Sequence, residues 1–134
     1  MREKGQALVE LALSLPLLLM LALGVVGAGR AIHARVAIDA VAREGARAVA
    51  TSPTPCDSSI AVGRARETAQ GYRLDLSRLQ VQVGGSCERG GLLTVQVTYT
   101  VLLQDLAFVP FLELPGEVPM RASATHMVEQ YRSR

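Results

Sequence analysis

The feature that most constrains this chain is a run of nineteen residues without a charge, from Leu11 to Gly29. As a helix rising about 1.5 Å per residue, this run spans about 28 Å, which is close to the hydrocarbon thickness of a bilayer. Fewer than about ninety residues follow the N-terminal helical region, too few to surround a helix that is apolar on every side. The sequence therefore predicts that residues 11–29 cross a membrane and contact lipid.

Four residues that are unusual in a helix lie in this run: Pro16, Gly24, Gly27 and Gly29. Membrane helices tolerate proline and glycine because neighbouring groups satisfy the freed backbone. Pro16 predicts a kink or a locally loosened turn. The three glycines either let another helix approach closely or only add flexibility, and both interpretations stay open.

The helical pattern continues beyond the apolar run. Four charged residues recur at every fourth position and form one polar stripe: Arg35, Asp39, Arg43 and Arg47. Alanine is abundant from Arg30 to Ala50, and Pro53 and Pro55 end the pattern. We expect one helix over residues 6–50, about 68 Å long, with a transmembrane first half and an amphipathic second half.

The remaining residues predict a small module of mixed structure. Residues 58–73 suit a second, shorter helix, with Ser58 or Ser59 as its N-terminal cap. Three segments alternate apolar and polar residues and predict an antiparallel sheet: 79–83, 93–101 and 118–128. Residues 102–116 are apolar but contain two prolines, and predict a hydrophobic loop that covers the core or lies near the membrane surface. The expected fold class is α+β, with the sheet packed against the long helix.

Two cysteines, Cys56 and Cys87, lie in segments that are typical of loops. Outside the cytoplasm, a pair of cysteines most simply forms a disulfide. Such a bridge would close a loop of about thirty residues and contribute about 3 kcal/mol. A zinc site with His33 and His126 is the alternative, but no two of these ligands have finger-like spacing, so neither a metal nor another cofactor is expected.

Composition and motifs exclude several classes of function. The net charge is only +2, and no basic cluster is interleaved with aromatic residues, so nucleic acid is not an expected partner. The sequence contains neither a nucleophile elbow nor a phosphate-binding loop. We therefore expect no catalytic residues and a protein that is not an enzyme.

A cleavable secretory signal is an alternative explanation of the N-terminus, because Gly27, Ala28 and Gly29 are small enough for a cleavage site. However, the apolar run is longer than the roughly seven to fifteen residues of such signals. A carboxylate, Glu10, also stands where the apolar run begins, and an acid at that boundary is costly unless it is paired or functional.

Two motifs resemble a known family. The segment from Gly5 to Glu10 (GQALVE), followed by a leucine-rich stretch containing Pro16, is similar to the N-terminus of a type IV-related prepilin. The stretch through Gly29-Arg-Ala and residues 42–48 (AREGARA) resembles the TadE-like proteins of tight-adherence pilus systems. The resemblance covers about the first fifty residues and implies a pilin-like α+β fold and a minor pilin or pseudopilin.

The resemblance implies that a prepilin peptidase cleaves between Gly5 and Gln6, which makes residues 1–5 a leader. Residues 6–29 would then be a transmembrane helix, 30–50 a helical stem and 51–134 an extracytoplasmic module. Glu10 would pair with the new amino group at Gln6 of an adjacent subunit, because an unpaired charge is expensive in a low dielectric. Many pilins have a bulky aromatic residue where this chain has Gln6, so methylation of the new N-terminus is left open.

The implied partners are the prepilin peptidase, other pilin-like subunits and the pilus assembly machinery. The implied location is the cytoplasmic membrane, crossed once, with residues 51–134 outside the cytoplasm or displayed in a pilus for adhesion. Two alternatives remain. One is a secreted binding or enzymatic domain released by signal peptidase after Gly29, and the other is an unprocessed accessory protein anchored in the membrane.

Overall fold

The computed structural model describes residues 2–54, 57–86, 88, 90–106 and 115–128 of the 134-residue chain. A long N-terminal helix is followed by a short helix and a three-stranded antiparallel sheet. This architecture confirms the predicted α+β class and is pilin-like. The core lies where the second half of the long helix, the short helix and one face of the sheet meet.

The first helix, α1, extends over Arg2–Ala50 and remains α-helical through Pro16. Its first part contains a window with a mean hydropathy of 2.4, of which none is buried, so α1 is long and apolar enough to cross a membrane. From Ala34 onward, one side of α1 is buried in the module. The predicted continuous helix with two different halves is therefore confirmed.

The second helix, α2, covers Ser58–Gly71 and lies back along α1. Three alanines spaced by four residues form its buried face: Ala61, Ala65 and Ala69. The cap is Asp57 rather than Ser58 or Ser59, because the Asp57 carboxylate accepts hydrogen bonds from the backbone and hydroxyl groups of Ser59. The predicted helix is confirmed, and the predicted cap is off by one residue.

The sheet has the strand order β1-β2-β3, with both neighbouring pairs antiparallel. The strands are β1 (Leu79–Gly85), β2 (Leu92–Leu102) and β3 (Glu117–Met127). In β2 every second side chain is buried against the helices, and the side chains between them face outward. This alternation is what the sequence predicted, and β2 supplies most of the core of the sheet.

The apolar connection between β2 and β3 begins with a four-residue helix, α3 (Leu103–Leu106). The backbone N–H of Leu103 donates to the carbonyl of Gly116 at 3.0 Å, so the two described ends of the connection lie together. Residues 107–114 lie outside the described part of the chain. The prediction that this segment covers the core or lies near the membrane surface therefore stays a prediction. The described beginning of this connection is helical, a helix that the sequence pattern did not predict.

Candidate functional site: the α1 stem and its two faces

The AREGAR segment of α1 forms a seam of small residues against α2. Ala42, Gly45 and Ala46 are spaced by three and four residues and lie on the buried side. A Cβ atom built on Gly45 would lie 3.5 Å from the carbonyl oxygen of Ala61 and 3.7 Å from the Cβ of Ala65. The small side chains therefore let α1 and α2 pack closely. The spacing of these small residues by three and four positions is visible in the sequence and could have predicted this contact.

The charged residues of this segment point away from that seam. Arg43 and Arg47 are exposed, and Glu44 forms a 3.8 Å ion pair with Arg64 of α2. Exposed pairs of this kind contribute about 0–1 kcal/mol. The close packing of small residues, rather than the charges, is what holds α2 on α1.

A second contact, between α3 and α1, lies at the end of the uncharged run. Gly27 lies against α3, and a Cβ atom built on Gly27 would be only 2.6 Å from the carbonyl oxygen of Leu106. One turn further, the guanidinium of Arg30 donates to the carbonyl oxygen of Asp105 at 2.8 Å. The lack of a side chain at Gly27 therefore allows α3 of the same chain to pack closely on α1. From the sequence alone, close approach of another helix was one of two interpretations of Gly27.

An ion-pair cluster continues this junction on the sheet side. Arg78 binds the Asp105 carboxylate at 2.7 Å and the Asp75 carboxylate at 3.3 Å. The hydrogen bond to Asp105 raises the pKa of Arg78, and hydrogen bonds from Ser77 lower the pKa of Asp75. Both shifts favour the charged forms of Arg78 and Asp75, and the cluster links α3 to the start of β1. Sequence patterns did not reveal this cluster, because Asp105 lies 27 residues from Arg78 along the chain.

The residues predicted for processing and assembly lie on the exposed N-terminal part of α1. Gly5, Gln6 and Glu10 are exposed, and nothing lies within 4 Å of the position where Gly5 would carry a Cβ atom. The backbone carbonyl of Glu10 accepts a hydrogen bond from the hydroxyl of Ser14 at 2.6 Å. Among the described residues, the Glu10 carboxylate forms no hydrogen bond or ion pair.

The other two glycines of the apolar run differ from Gly27. Nothing lies within 4 Å of a Cβ atom built on Gly24 or Gly29. Within the described part of the chain, the surroundings of both glycines are open. The prediction that these two glycines serve helix packing stays a prediction.

Where α1 leaves the apolar run, one of its faces is exposed among the described residues. Val25, Ile32 and Val36 are 65%, 64% and 52% exposed, although the module packs against other sides of the same helix. Beside them, Arg35 forms a 3.5 Å ion pair with Asp39 and donates to the carbonyl oxygen of Arg121 on β3 at 2.6 Å. Apolar residues at 32 and 36 therefore do not belong to the core of this chain.

The two cysteines lie outside the described residues, so the predicted disulfide stays a prediction. Of their described neighbours, Asp57 caps α2, and Ser86 follows β1. The backbone N–H of Ser86 donates to the carbonyl of Leu92 at 3.0 Å.

The two histidines lie on different elements, His33 on α1 and His126 on β3. His33 contacts the carbonyl oxygen and the ring of Tyr72, whereas His126 is exposed on β3 opposite Leu93. Within the described ranges, no three histidine, cysteine or acidic residues are grouped so that they could hold a metal ion.

The fold and the two faces of α1 define a class: a pilin-like α+β protein whose apolar N-terminal helix extends directly into its module. Residues 5–47 match the family described as "TadE-like protein". The match confirms the resemblance inferred from the sequence, and the chain is TadE-like over this segment, which is about a third of its length. Neither the comparison with curated proteins nor the comparison with solved structures gave a match.

Proposed function

We propose that this chain is a minor pilin or pseudopilin, a structural subunit that takes part in assembling a tight-adherence, type IV-related pilus. The observation that carries the proposal is the construction of α1. The TadE-like segment contains both an exposed apolar half and a half that is built into the module. A helix of this kind anchors an extracytoplasmic module in the membrane. This role is structural and needs no catalytic group.

The maturation step of the proposal is cleavage by a prepilin peptidase between Gly5 and Gln6. Both residues are exposed at the start of α1, which suits access by a membrane peptidase. Cleavage would create a positively charged amino group at Gln6, and Glu10 of an adjacent subunit would neutralise it. Such a pair in apolar surroundings fixes the axial position of otherwise similar helices.

The contact at Gly27 favours this proposal over release by signal peptidase after Gly29. Cleavage after Gly29 would remove Gly27 from the chain and leave α3 without its contact on α1. It would also make Arg30 the new N-terminal residue, and the side chain of Arg30 donates a hydrogen bond to the carbonyl oxygen of Asp105. The segment before residue 30 is thus part of the packing of the module.

The proposed arrangement has residues 1–5 as a leader, 6–29 in the cytoplasmic membrane and 30–50 as a stem. Residues 51–134 form the module outside the cytoplasm, where Cys56 and Cys87 can be oxidised to a disulfide. The partners are the prepilin peptidase, other pilin-like subunits and the pilus assembly machinery. Before assembly, lipid covers the apolar half of α1, and other helices replace that lipid in the assembled state.

The N-terminal residue of the membrane-extracted protein tests the maturation step. We expect mass spectrometry to find Gln6 at the N-terminus in cells with the prepilin peptidase and Met1 in cells without it. A start at Arg30 would instead identify a secreted domain, and Met1 in both strains would identify an unprocessed anchor.

Substitution of Glu10 tests the assembly step separately from processing. We expect Glu10→Gln to be cleaved normally but to reduce the number of pili per cell, because the new amino group loses its partner. Ser14→Ala is the control on the same part of the helix. Normal pilus numbers with Glu10→Gln would contradict the proposed charge pair.

A further inference from the structure

We infer that the outer face of the sheet binds an acidic polysaccharide, a glycan chain that carries uronic acid residues. This face is the side of the three strands that points away from α1 and α2. The inference rests on the proposed function in one respect, since it requires that the module lies outside the cytoplasm. The binding surface is called the glycan face below and consists of six residues: Gln80, Gln82, Gln96, Thr98, Arg121 and Ser123.

The strand register arranges the six side chains of the glycan face in two rows across the sheet. Gln82, Gln96 and Ser123 are direct cross-strand partners in one row. The other three residues form the neighbouring row, two residues away on each strand. Neighbouring strands lie about 4.8 Å apart, and alternate residues of one strand lie about 6.8 Å apart, so the polar groups form a regular grid. Thr98 is half-buried and the other five residues are exposed.

Two adjoining hollows give this face its shape. The larger hollow, of about 340 Å³, is lined by the four members of the face on β2 and β3, and is bordered by Arg35 and Asp39 of α1. The smaller hollow, of about 160 Å³, lies on the β1 side and is lined by Gln82 and Gly84. Gln96 lines both hollows. An elongated ligand that crosses the strands can therefore occupy both.

The larger hollow contains one cation that has no partner among the described residues. Arg35 forms a 3.5 Å ion pair with Asp39 and donates to the backbone carbonyl of Arg121 at 2.6 Å. The guanidinium of Arg121 itself forms no hydrogen bond or ion pair within the described part of the chain. A guanidinium binds a carboxylate through two parallel hydrogen bonds. The hollow therefore suits a ligand that presents one carboxylate to Arg121.

The rest of the glycan face is neutral and both donates and accepts hydrogen bonds. Each glutamine side chain offers two N–H donors and one carbonyl acceptor, and each serine or threonine hydroxyl donates one hydrogen bond and accepts others. The hydroxyl groups of a sugar need both kinds of partner. A polymer of sugar rings in which some rings carry a carboxylate therefore matches both the neutral groups and the single free cation.

Other classes of ligand fit the glycan face less well. An apolar peptide would remove water from the three glutamine amides without replacing their hydrogen bonds, which is costly. Duplex DNA carries one negative charge per about 1.7 Å of its axis and is bound through several lysines or arginines. The glycan face has one cation, which suits a ligand with widely spaced charges.

Isothermal titration calorimetry of the full chain in a mild detergent tests the inference. The probe is a tetramer of galacturonic acid. A tetramer of galactose is the matched neutral probe, and tetraglutamate is the matched acidic probe without sugar hydroxyls. In a buffer with about 0.15 M salt, where long-range attraction between charges is screened, we expect the galacturonate tetramer to bind about tenfold more tightly than either control.

Two substitutions locate the site. Arg121→Gln removes the guanidinium and should weaken binding of the galacturonate tetramer about tenfold. Gln96→Ala removes an amide that both hollows share and should weaken binding several-fold. The control is Arg66→Gln, which removes the same charge from the exposed side of α2 and should leave the affinity unchanged. Thermal unfolding checks that each variant is folded.

Three outcomes would overturn the inference. Equal binding of either control tetramer would mean that the face does not recognise an acidic sugar. Unchanged affinity in Arg121→Gln would mean that the galacturonate tetramer binds elsewhere. No binding of this tetramer at about 1 mM would mean that the face does not take uronic acids. The N-terminal residue and the number of pili in cells with Arg121→Gln report on the proposed function separately, since both can be normal whatever the affinity for the glycan.

Discussion

Adding a single methyl group at Gly27 perturbs the junction between the stem and the module. A Cβ atom on this residue would lie 2.6 Å from the carbonyl oxygen of Leu106, whereas ordinary contacts begin near 3.4 Å. The obstructing atom belongs to the backbone of α3, so it cannot move aside by a change of rotamer. In Gly27→Ala, α3 must therefore retreat by about 0.8 Å, and the hydrogen bond from Arg30 to Asp105 is strained.

Overpacking of this kind costs about 1–3 kcal/mol. Replacing glycine by alanine also favours the helix by up to about 1 kcal/mol, and this gain must be separated from the clash. Gly24→Ala and Gly29→Ala provide that separation, since neither new methyl group meets an atom within 4 Å. We expect Gly27→Ala to be about 1–3 kcal/mol less stable than these two controls.

The assay is thermal unfolding of the full chain in a mild detergent, followed by circular dichroism. For a domain of about this size, each kcal/mol corresponds to a shift of about 4–8 °C in Tm. Equal Tm values for Gly27→Ala and Gly24→Ala would refute the reasoning, because the close approach of α3 to Gly27 would then carry no stability. The role of Gly27 would return to packing between separate helices.

Three further predictions concern the module. Val95→Ala removes a fully buried side chain next to Gly45 and should cost about 2 kcal/mol in urea unfolding, whereas Gln96→Ala on the outer face of the sheet should be almost neutral. Hydrogen bonds from Ser59 lower the pKa of Asp57 below its ordinary value of 3.8. The ionised Asp57 carboxylate therefore stabilises the fold fully above pH 3.8, and this stabilisation is lost as the pH falls through the lowered pKa. Asp57→Asn keeps a capping group that does not titrate, and should remove this part of the acid sensitivity measured by unfolding between neutral and low pH. Cys56→Ser and Cys87→Ser should each abolish the mobility difference between reduced and non-reduced protein on a gel, and a difference that persists in either variant would contradict the disulfide.

The sequence predicted those elements that depend on short-range periodicity. Alternation in residues 93–101 identified the central strand, since period two marks a half-buried strand whatever lies on either side of it. The long apolar and amphipathic pattern likewise predicted the last residue of α1, Ala50, whereas the helix begins at Arg2 rather than at Gln6. The cap of α2 was misassigned because Asp57, Ser58 and Ser59 are all good capping residues, and only the hydrogen bonds distinguish them.

The contacts that position the candidate site could not be predicted in the same way. Gly27 meets Leu106 across nearly eighty residues of sequence, and no local pattern of either segment indicates the other. Ile32, Val36 and Ile38 are all apolar residues of the stem, yet Ile32 and Val36 are exposed whereas Ile38 is completely buried. Hydrophobicity alone does not tell which apolar side of a helix faces its own module and which faces another molecule.

The uncovered side of α1 follows from how thin the module is. Ala61 and Ala65 bring α2 close to Gly45 on one side, and the sheet packs through Val95 on a neighbouring side. No third layer exists among the described elements to cover the remaining side of the helix. In a soluble domain, exposed residues such as Ile32 would be a liability. On a helix that is long and apolar enough to cross a membrane, they extend the apolar surface beyond the uncharged run, and the proposed assembly gives that surface a neighbouring subunit to contact.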